Sequence, residues 1–341
     1  MYMIRSGLLR FASGALHAIL SVLHFIGQEI QMKKEMKYAT AAALLGNSVF
    51  GFSFMFSRVA LGIAQPFVML MYRFIGAFLG LNLLALWSRL SGAGFKSEGE
   101  KIHFMRFDLR GRRVAPLLVL GIVQPVVYFL CESYGISLTN STFAGVIIAV
   151  IPIAALGMGA LFLNEKPTRA QVAFSLLSIA GVILMTLMQS AEGEIRPLGV
   201  VLLFGAVLSG VVFNMISRRI SDRYSAFERT YVMMLIAAVS FTVLAVISTK
   251  GDMKALLAPA GNMQFIMAIV YLSIVSSVLA FLMLNYANNY LPVAKTTAFC
   301  NITTVISLFA GVVFLGEPFG LMSLLASGMI ILGIWGVQKG Q

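Results

Sequence analysis

Charge is scarce in this sequence. Asp, Glu, Lys and Arg make up 11% of the 341 residues, 59% are hydrophobic, and mean hydropathy is +0.92. So little charge does not coat a soluble protein of this length, and the composition is that of an integral membrane protein. The apolar runs are continuous rather than alternating, which argues against a β-barrel. Spanning then falls to helices of about 20 apolar residues each. There are only two cysteines, Cys131 and Cys300, both inside apolar runs. That excludes a disulfide framework and a thiolate metal site, and leaves them as small buried hydrophobes. No P-loop, dinucleotide-binding glycine pattern, metal-ligand cluster or Ser/His/Asp set is present, and no polar stretch is long enough for an ATPase domain. We therefore expect no cofactor, no metal and no enzymatic activity.

Net charge is +12. In a soluble protein that would suggest a nucleic-acid partner. Here the basic residues fall between apolar runs, where they orient the chain in the lipid bilayer, and no nucleic-acid binding is expected.

What the chain has is a repeat. Tyr134 and Glu165 enclose a polar turn, Thr139-Asn140-Ser141, and an apolar run of membrane length; Tyr286 and Glu317 enclose another of the same span. An offset of 152 residues places Gly159 on Gly311, Phe162 on Phe314, Leu163 on Leu315, Ser175 on Ser327, Ile179 on Ile331 and Gly181 on Gly333. Further upstream an offset of 160 places Ser57-Arg58 on Ser217-Arg218 and Phe67 on Phe227. The change in offset reflects the longer loop at 88–114. Equal spacing of flanking polar residues, rather than apolar likeness, identifies the internal repeat.

The apolar runs predict spans at 38–60, 66–88, 115–136, 141–163 and 169–189, then at 197–217, 227–248, 264–286, 293–315 and 319–337. The predicted fold is all-α: ten transmembrane helices in two five-helix repeats, 38–190 and 195–338. Residues 1–37 form an extension and lead-in. Arg10, His17 and His24 recur at intervals of seven in residues 1–31, giving an amphipathic face suited to the membrane surface. A signal peptide without a clear cleavage site, and a true start at Met32 or Met36, are the alternatives.

With the N-terminus inside, seventeen basic residues lie on the inner side, Arg229 counted among them. Four lie outside: Arg58, Arg196, Lys250 and Lys254. Both termini are then cytoplasmic in the cell membrane. An odd number of spans per half makes the two repeats inverted, an arrangement that suits secondary transport with solute near the midplane.

Polar residues inside spans are the candidate site. Gln124, Tyr128 and Glu132 recur every four residues, so they share a helical face. Arg73 lies at a similar depth. The functional reading makes Arg73 the recognition charge for a solute carboxylate and Glu132 its counterion or a protonatable group, with a proton as candidate coupling ion. The structural alternative is a salt bridge locking spans 2 and 3. Thr297, Asn301 and Thr304 share a face of span 9, as cavity lining or as helix-packing groups. Asn47 and Asn214, and Tyr72 and Tyr231, hold similar places in the two halves and either touch solute or form packing hydrogen bonds. Lys295 snorkels. Glu165 and Glu317 read as helix-start scaffold.

Two five-span repeats, each with Gly-x-x-Phe-Leu before a Glu and a Gly-rich final span, resemble the EamA-type members of the drug/metabolite transporter superfamily. The residues are Gly159, Phe162, Leu163, Glu165 and Gly181, then Gly311, Phe314, Leu315, Glu317 and Gly333. The resemblance covers roughly 36–338 and implies a ten-helix bundle with a central cavity that exports or exchanges small metabolites such as amino acids. The extension at 1–31 and the longer 88–114 loop depart from the pattern. A lipid-modifying intramembrane enzyme and a non-transporting sensor are the rival functions. The sequence names neither the solute nor an oligomeric state.

Overall fold

The computed structural model describes residues 34–90, 95–97, 100–102, 113–148, 150–162, 168–191, 195–291, 296, 299–316 and 319–339. The predicted surface helix at 1–31, Lys295, Glu165 and Glu317 lie outside the described residues. The helices are α1 Lys34–Leu61, α2 Pro66–Leu90, α3 Ala115–Ser137, α4 in two pieces (Ser141–Ile148 and Ile151–Phe162) and α5 Arg169–Ala191. They continue as α6 Pro197–Arg219, α7 Ala226–Ser248, α8 Met263–Tyr290, α9 Cys300–Leu315 and α10 Leu321–Lys339. Seven of them (α1 to α4 and α6 to α8) are long and apolar enough to cross a membrane; α9 and α10 contain shorter apolar segments. The architecture is that of an integral membrane protein built from helices. One antiparallel ribbon interrupts it, Phe95–Ser97 against Glu100–Ile102, in the connection that the apolar pattern left as loop.

Local chemistry sets the boundaries. Pro66 opens α2 and Pro197 opens α6, positions where a missing N–H costs nothing. Ser225 and Glu228 form a reciprocal capping box at the start of α7. Asn262 caps α8 through Gln264 N and Phe265 N. Gly316 ends α9 at φ 64, a left-handed conformation that suits glycine. Large apolar side chains such as Leu83, Trp87, Val201, Ile247 and Phe314 are more than half exposed, as a lipid-facing surface requires.

Helix pairs follow the repeat. The pairs α2 with α7, α3 with α6 and α5 with α10 make the most extensive contacts among the described residues, and α4 packs on α9. At the α5–α10 crossing, a methyl group on Gly181 would sit 2.8 Å from the Ala326 carbonyl oxygen, and one on Gly333 would sit 2.6 Å from the Phe174 carbonyl oxygen. Phe174 and Ala326 are themselves 152 residues apart, so each glycine meets the counterpart of the other's partner. Small residues let two helices approach closely where lipid gives no hydrophobic drive to pack them. A second correspondence lies at helix ends. Arg58 at the end of α1 donates to the Ile136 carbonyl at the end of α3, 3.1 Å; Arg218 at the end of α6 donates to the Asn288 carbonyl at the end of α8, also 3.1 Å. Both arginines satisfy carbonyls that a helix terminus leaves free.

One expectation is corrected. Arg229 is not a loop charge. It sits in the first turns of α7, fully buried, and it drops out of the tally of basic residues that face the inner side.

The α5–α10 crossing gives a stability prediction. Gly333→Ala should lower the melting temperature in detergent, at about 1–3 kcal/mol for overpacking against rigid backbone. Gly328→Ala on the same helix, where a methyl group meets nothing within 4 Å, should leave it unchanged. Equal melting curves for the two variants would contradict the close approach.

Candidate functional site

The third helix of each half is widened midway. In α3 the helix loosens at a kink over Ile122–Val127, where Gln124 departs from helical geometry at φ −140°, ψ 118°. Pro125, which has no N–H to donate, occupies the break. In α8 the same loosening spans Tyr271–Ala280. An offset of 152 carries 122–127 onto 274–279, so the two widened turns are counterparts. Wide turns of this kind are frequent at functional sites.

Beside the widened turn of α3 lies a cavity of about 50 Å³. Six of the predicted site residues line it: Asn47 from α1, Arg73 from α2, Gln124, Tyr128 and Glu132 from α3, and Asn214 from α6. Phe50, Phe54, Phe129, Phe213 and Phe281 form much of its apolar wall. Such a volume holds roughly one or two waters, with liquid water at about 30 Å³ per molecule, so the bundle is contracted around its polar centre.

Arg73 is fully buried. Its Nε donates to Ser277 Oγ at 2.9 Å and its Nη2 to Ser276 Oγ at 3.0 Å, both from the widened turn of α8. The guanidinium carbon lies 4.1 Å from the Phe129 ring centre, a cation–π contact. Nη1 has no hydrogen-bond partner among the described residues. Glu132 is close enough for its charge to act on Arg73, yet no direct ion pair joins them among the described residues. Tyr128, one turn before Glu132, lies within electrostatic reach of that carboxyl. The Gln124 amide oxygen is buried without a partner among the described residues. The pocket thus holds an open cationic donor, an open amide acceptor and a carboxyl group, in surroundings where each such group left unmatched costs about 1–3 kcal/mol.

Asn47 and Asn214 are used alike. Each donates its amide to the carbonyl four residues earlier, Ala43 at 2.8 Å and Gly210 at 2.9 Å. That fixes the side chain and turns its oxygen toward partners on another helix: Thr303 for Asn47, at 3.3 Å, and Asn288 for Asn214, at 3.3 Å.

The remaining predicted residues lie elsewhere. Tyr72 donates to the Leu256 carbonyl at 3.1 Å and packs on Phe265. Tyr231 donates to Asn82 Oδ1 at 3.0 Å. Thr304 donates to the Gly145 carbonyl at 3.2 Å, tying α9 to α4. Thr297 and the side chain of Asn301 lie outside the described residues. From α9 the cavity takes Cys300 and Thr303, which share the neighbouring helical face. Sequence reasoning did not select Ser276 and Ser277. The only signal for them was a serine cluster, Ser273, Ser276 and Ser277, in an otherwise apolar span.

The model of the EamA-like transporter family matches residues 37–187 and 197–338. The chain belongs to the EamA-like transporter family. It is 29% identical to the uncharacterized transporter YcxC of Bacillus subtilis, over 89% of this chain and 94% of that one. It is 26% identical to a probable terminal-alkyne amino-acid exporter of Streptantibioticus cattleyicolor, over 67% of this chain and 75% of that one. A crystal structure with 17% sequence identity superposes with a TM-score of 0.60, covering 87% of this chain and 95% of the other, which shows a shared fold. Family and relatives point to a multi-pass membrane transporter of small molecules, not an enzyme.

An unmatched buried acceptor makes a test. Gln124→Leu removes it at similar volume, so the melting temperature should stay level or rise, by up to the equivalent of about 1–3 kcal/mol. A clear fall would mean that the amide already has its partner in the resting protein.

Proposed function

We propose that this EamA-family chain is a secondary transporter of small carboxylated solutes, amino-acid-like in size, working by alternating access between inverted halves at 38–190 and 195–338. The observation that carries the reading is Arg73 Nη1, a buried cationic donor with no partner among the described residues, on a side chain that lines the same pocket as Gln124, whose oxygen is likewise unmatched. A solute carboxylate supplies the missing acceptor for Arg73. An ammonium or amide donor on the same solute supplies what Gln124 and Glu132 lack. An intramembrane ionisable group facing a cavity is the usual mark of a substrate path. The relative named as an amino-acid exporter points the same way.

The inverted arrangement draws support from the reciprocal glycine contacts of α5 and α10, the paired arginine bonds of Arg58 and Arg218, and the widened turns at equivalent depth. In this reading the chain makes ten spans with both termini on the cytoplasmic side of the cell membrane, an orientation that the excess of basic residues there supports. Solute sits where the halves meet near the midplane, and rocking of one half against the other opens the contracted pocket to each side in turn. Tyr72, Tyr231 and Thr304 then hold the halves' frames, while Asn47, Gln124, Tyr128 and Asn214 contact solute. Glu132 is the group that binds and releases a coupling proton.

Three outcomes test the reading in proteoliposomes. Counterflow should move carboxylated solutes chemically unchanged; conversion of lipid without flux would refute transport. Arg73→Ala should weaken apparent affinity for carboxylated solutes by at least ten-fold while neutral analogues lose little, and equal losses would remove Arg73 from recognition. With Glu132→Gln, flux should no longer respond to a pH gradient. If the gradient still drives it, the coupling site is elsewhere.

A further inference from the structure

The two ends of the bundle are built on one plan but closed to different degrees. At one end, α6, α7 and α8 meet around Arg229. Its Nη1 donates to the Ser217 carbonyl and to Ser217 Oγ, each at 2.7 Å, and its Nη2 donates to the Asn285 carbonyl at 2.7 Å and to Asn289 Oδ1. Ser217 Oγ in turn donates to Asn285 Oδ1 at 2.9 Å. At the other end, the same offsets put Ser57 in place of Ser217, Ser133 in place of Asn285, Ser137 in place of Asn289 and Met69 in place of Arg229. Both Ser57 and Ser133 are buried there, and neither hydroxyl has a partner among the described residues. The Arg58 and Arg218 bonds show that the helix ends are otherwise placed alike. That other end also carries a recess of about 530 Å³ between the α1–α2 turn and the 249–262 connection.

We propose that Arg229 is the bolt of a gate that closes one end of the transport path, and that Asn214 connects this bolt to the solute pocket. Asn214 lines the pocket and accepts at Oδ1 from Asn288 Nδ2, at 3.3 Å. Asn288 Nδ2 also reaches Ser217 Oγ, at 3.4 Å, and its carbonyl holds Arg218. A polar chain therefore runs from the pocket through Asn214, Asn288 and Ser217 to Arg229. Its longest links are the two at Asn288. A solute donor that takes Asn214 Oδ1 displaces Asn288 and loosens the contacts that the bolt depends on. Among the described residues the end with Met69 has no such clasp, so the resting protein keeps the Arg229 end shut and opens the other more readily. This rests on alternating access as proposed above, and gives it an asymmetry.

Cys300, native to the pocket wall, is the reporter. In a Cys131→Ala background, a charged, membrane-impermeant methanethiosulfonate is added to either side of oriented proteoliposomes, and Cys300 modification is followed by mass spectrometry. With Arg229 intact, modification from the Arg229 side should be slow. Arg229→Met, which copies the first half, and Asn289→Ala, which removes one acceptor, should each speed it at least ten-fold from that side. If Arg229→Met does not fold, Asn289→Ala carries the test. Unchanged rates from the Arg229 side in folded variants would overturn the bolt. The readout needs no solute: labelling that responds to the variants without any flux refutes transport and keeps the bolt, and the reverse pattern refutes the bolt alone.

Discussion

A guanidinium in the middle of a membrane bundle has to be solvated by the protein itself. Everything around Arg73 follows from that constraint. Lipid cannot face it, so α2 turns it inward. Two serine hydroxyls from α8 and the face of Phe129 take up part of its charge. The serines reach it from the stretch of α8 that widens into π-type turns. The opposing wall is the widened turn of α3, with Gln124, and beyond it Glu132. Arg73 is thus held firmly yet left one acceptor short. A structural salt bridge with Glu132 would have closed that shortfall, and it is not formed. The remaining donor is what makes the site a candidate for an anionic group that arrives from outside.

The two halves share their frame and differ in their chemistry. The contacts that repeat are geometric: glycine against carbonyl at the α5–α10 crossing, arginine against the last carbonyls of α3 and α8. The contacts that fail to repeat are the charged ones. By the same offset Arg73 has Met233 as its counterpart, and Arg229 has Met69. One arginine sits at the pocket and the other at one end, so a near-symmetric scaffold carries a site and a clasp that are not symmetric. A transporter of this kind requires two alternative packings close in energy, and the shared frame gives both halves the same means of packing. In the proposed account the unshared residues decide what is bound and which end is held shut.

Much of this was legible in the sequence because the causes are local. Apolar runs, Pro66 and Pro197 at helix starts and the glycines of α5 and α10 set the helices and their closest crossing. The stripe Gln124, Tyr128 and Glu132 was readable because i, i+4, i+8 spacing leaves no choice of face. Other features depend on a neighbour. Pro125 announced a break in α3, but nothing comparable marks Tyr271–Ala280, whose widening goes with the serines that meet Arg73. On α9 the choice between adjacent faces turns on rotation against α1, where Thr303 donates to the Asn47 carbonyl at 2.9 Å. Arg229 follows the polar connection 220–225, so charge counting treats it as solvated. Its burial depends on how α6 and α8 pack against α7, which brings the carbonyls of Ser217 and Asn285 to it.

The central claim is that Arg73 keeps one donor free for a solute carboxylate. A structure of the protein with a solute identified by counterflow tests it most directly. The account predicts the carboxylate within hydrogen-bonding distance of Arg73 Nη1, with Ser276 and Ser277 still bonded to the other two nitrogens. A solute resolved elsewhere, with Nη1 still unbonded or turned to Glu132, would contradict it.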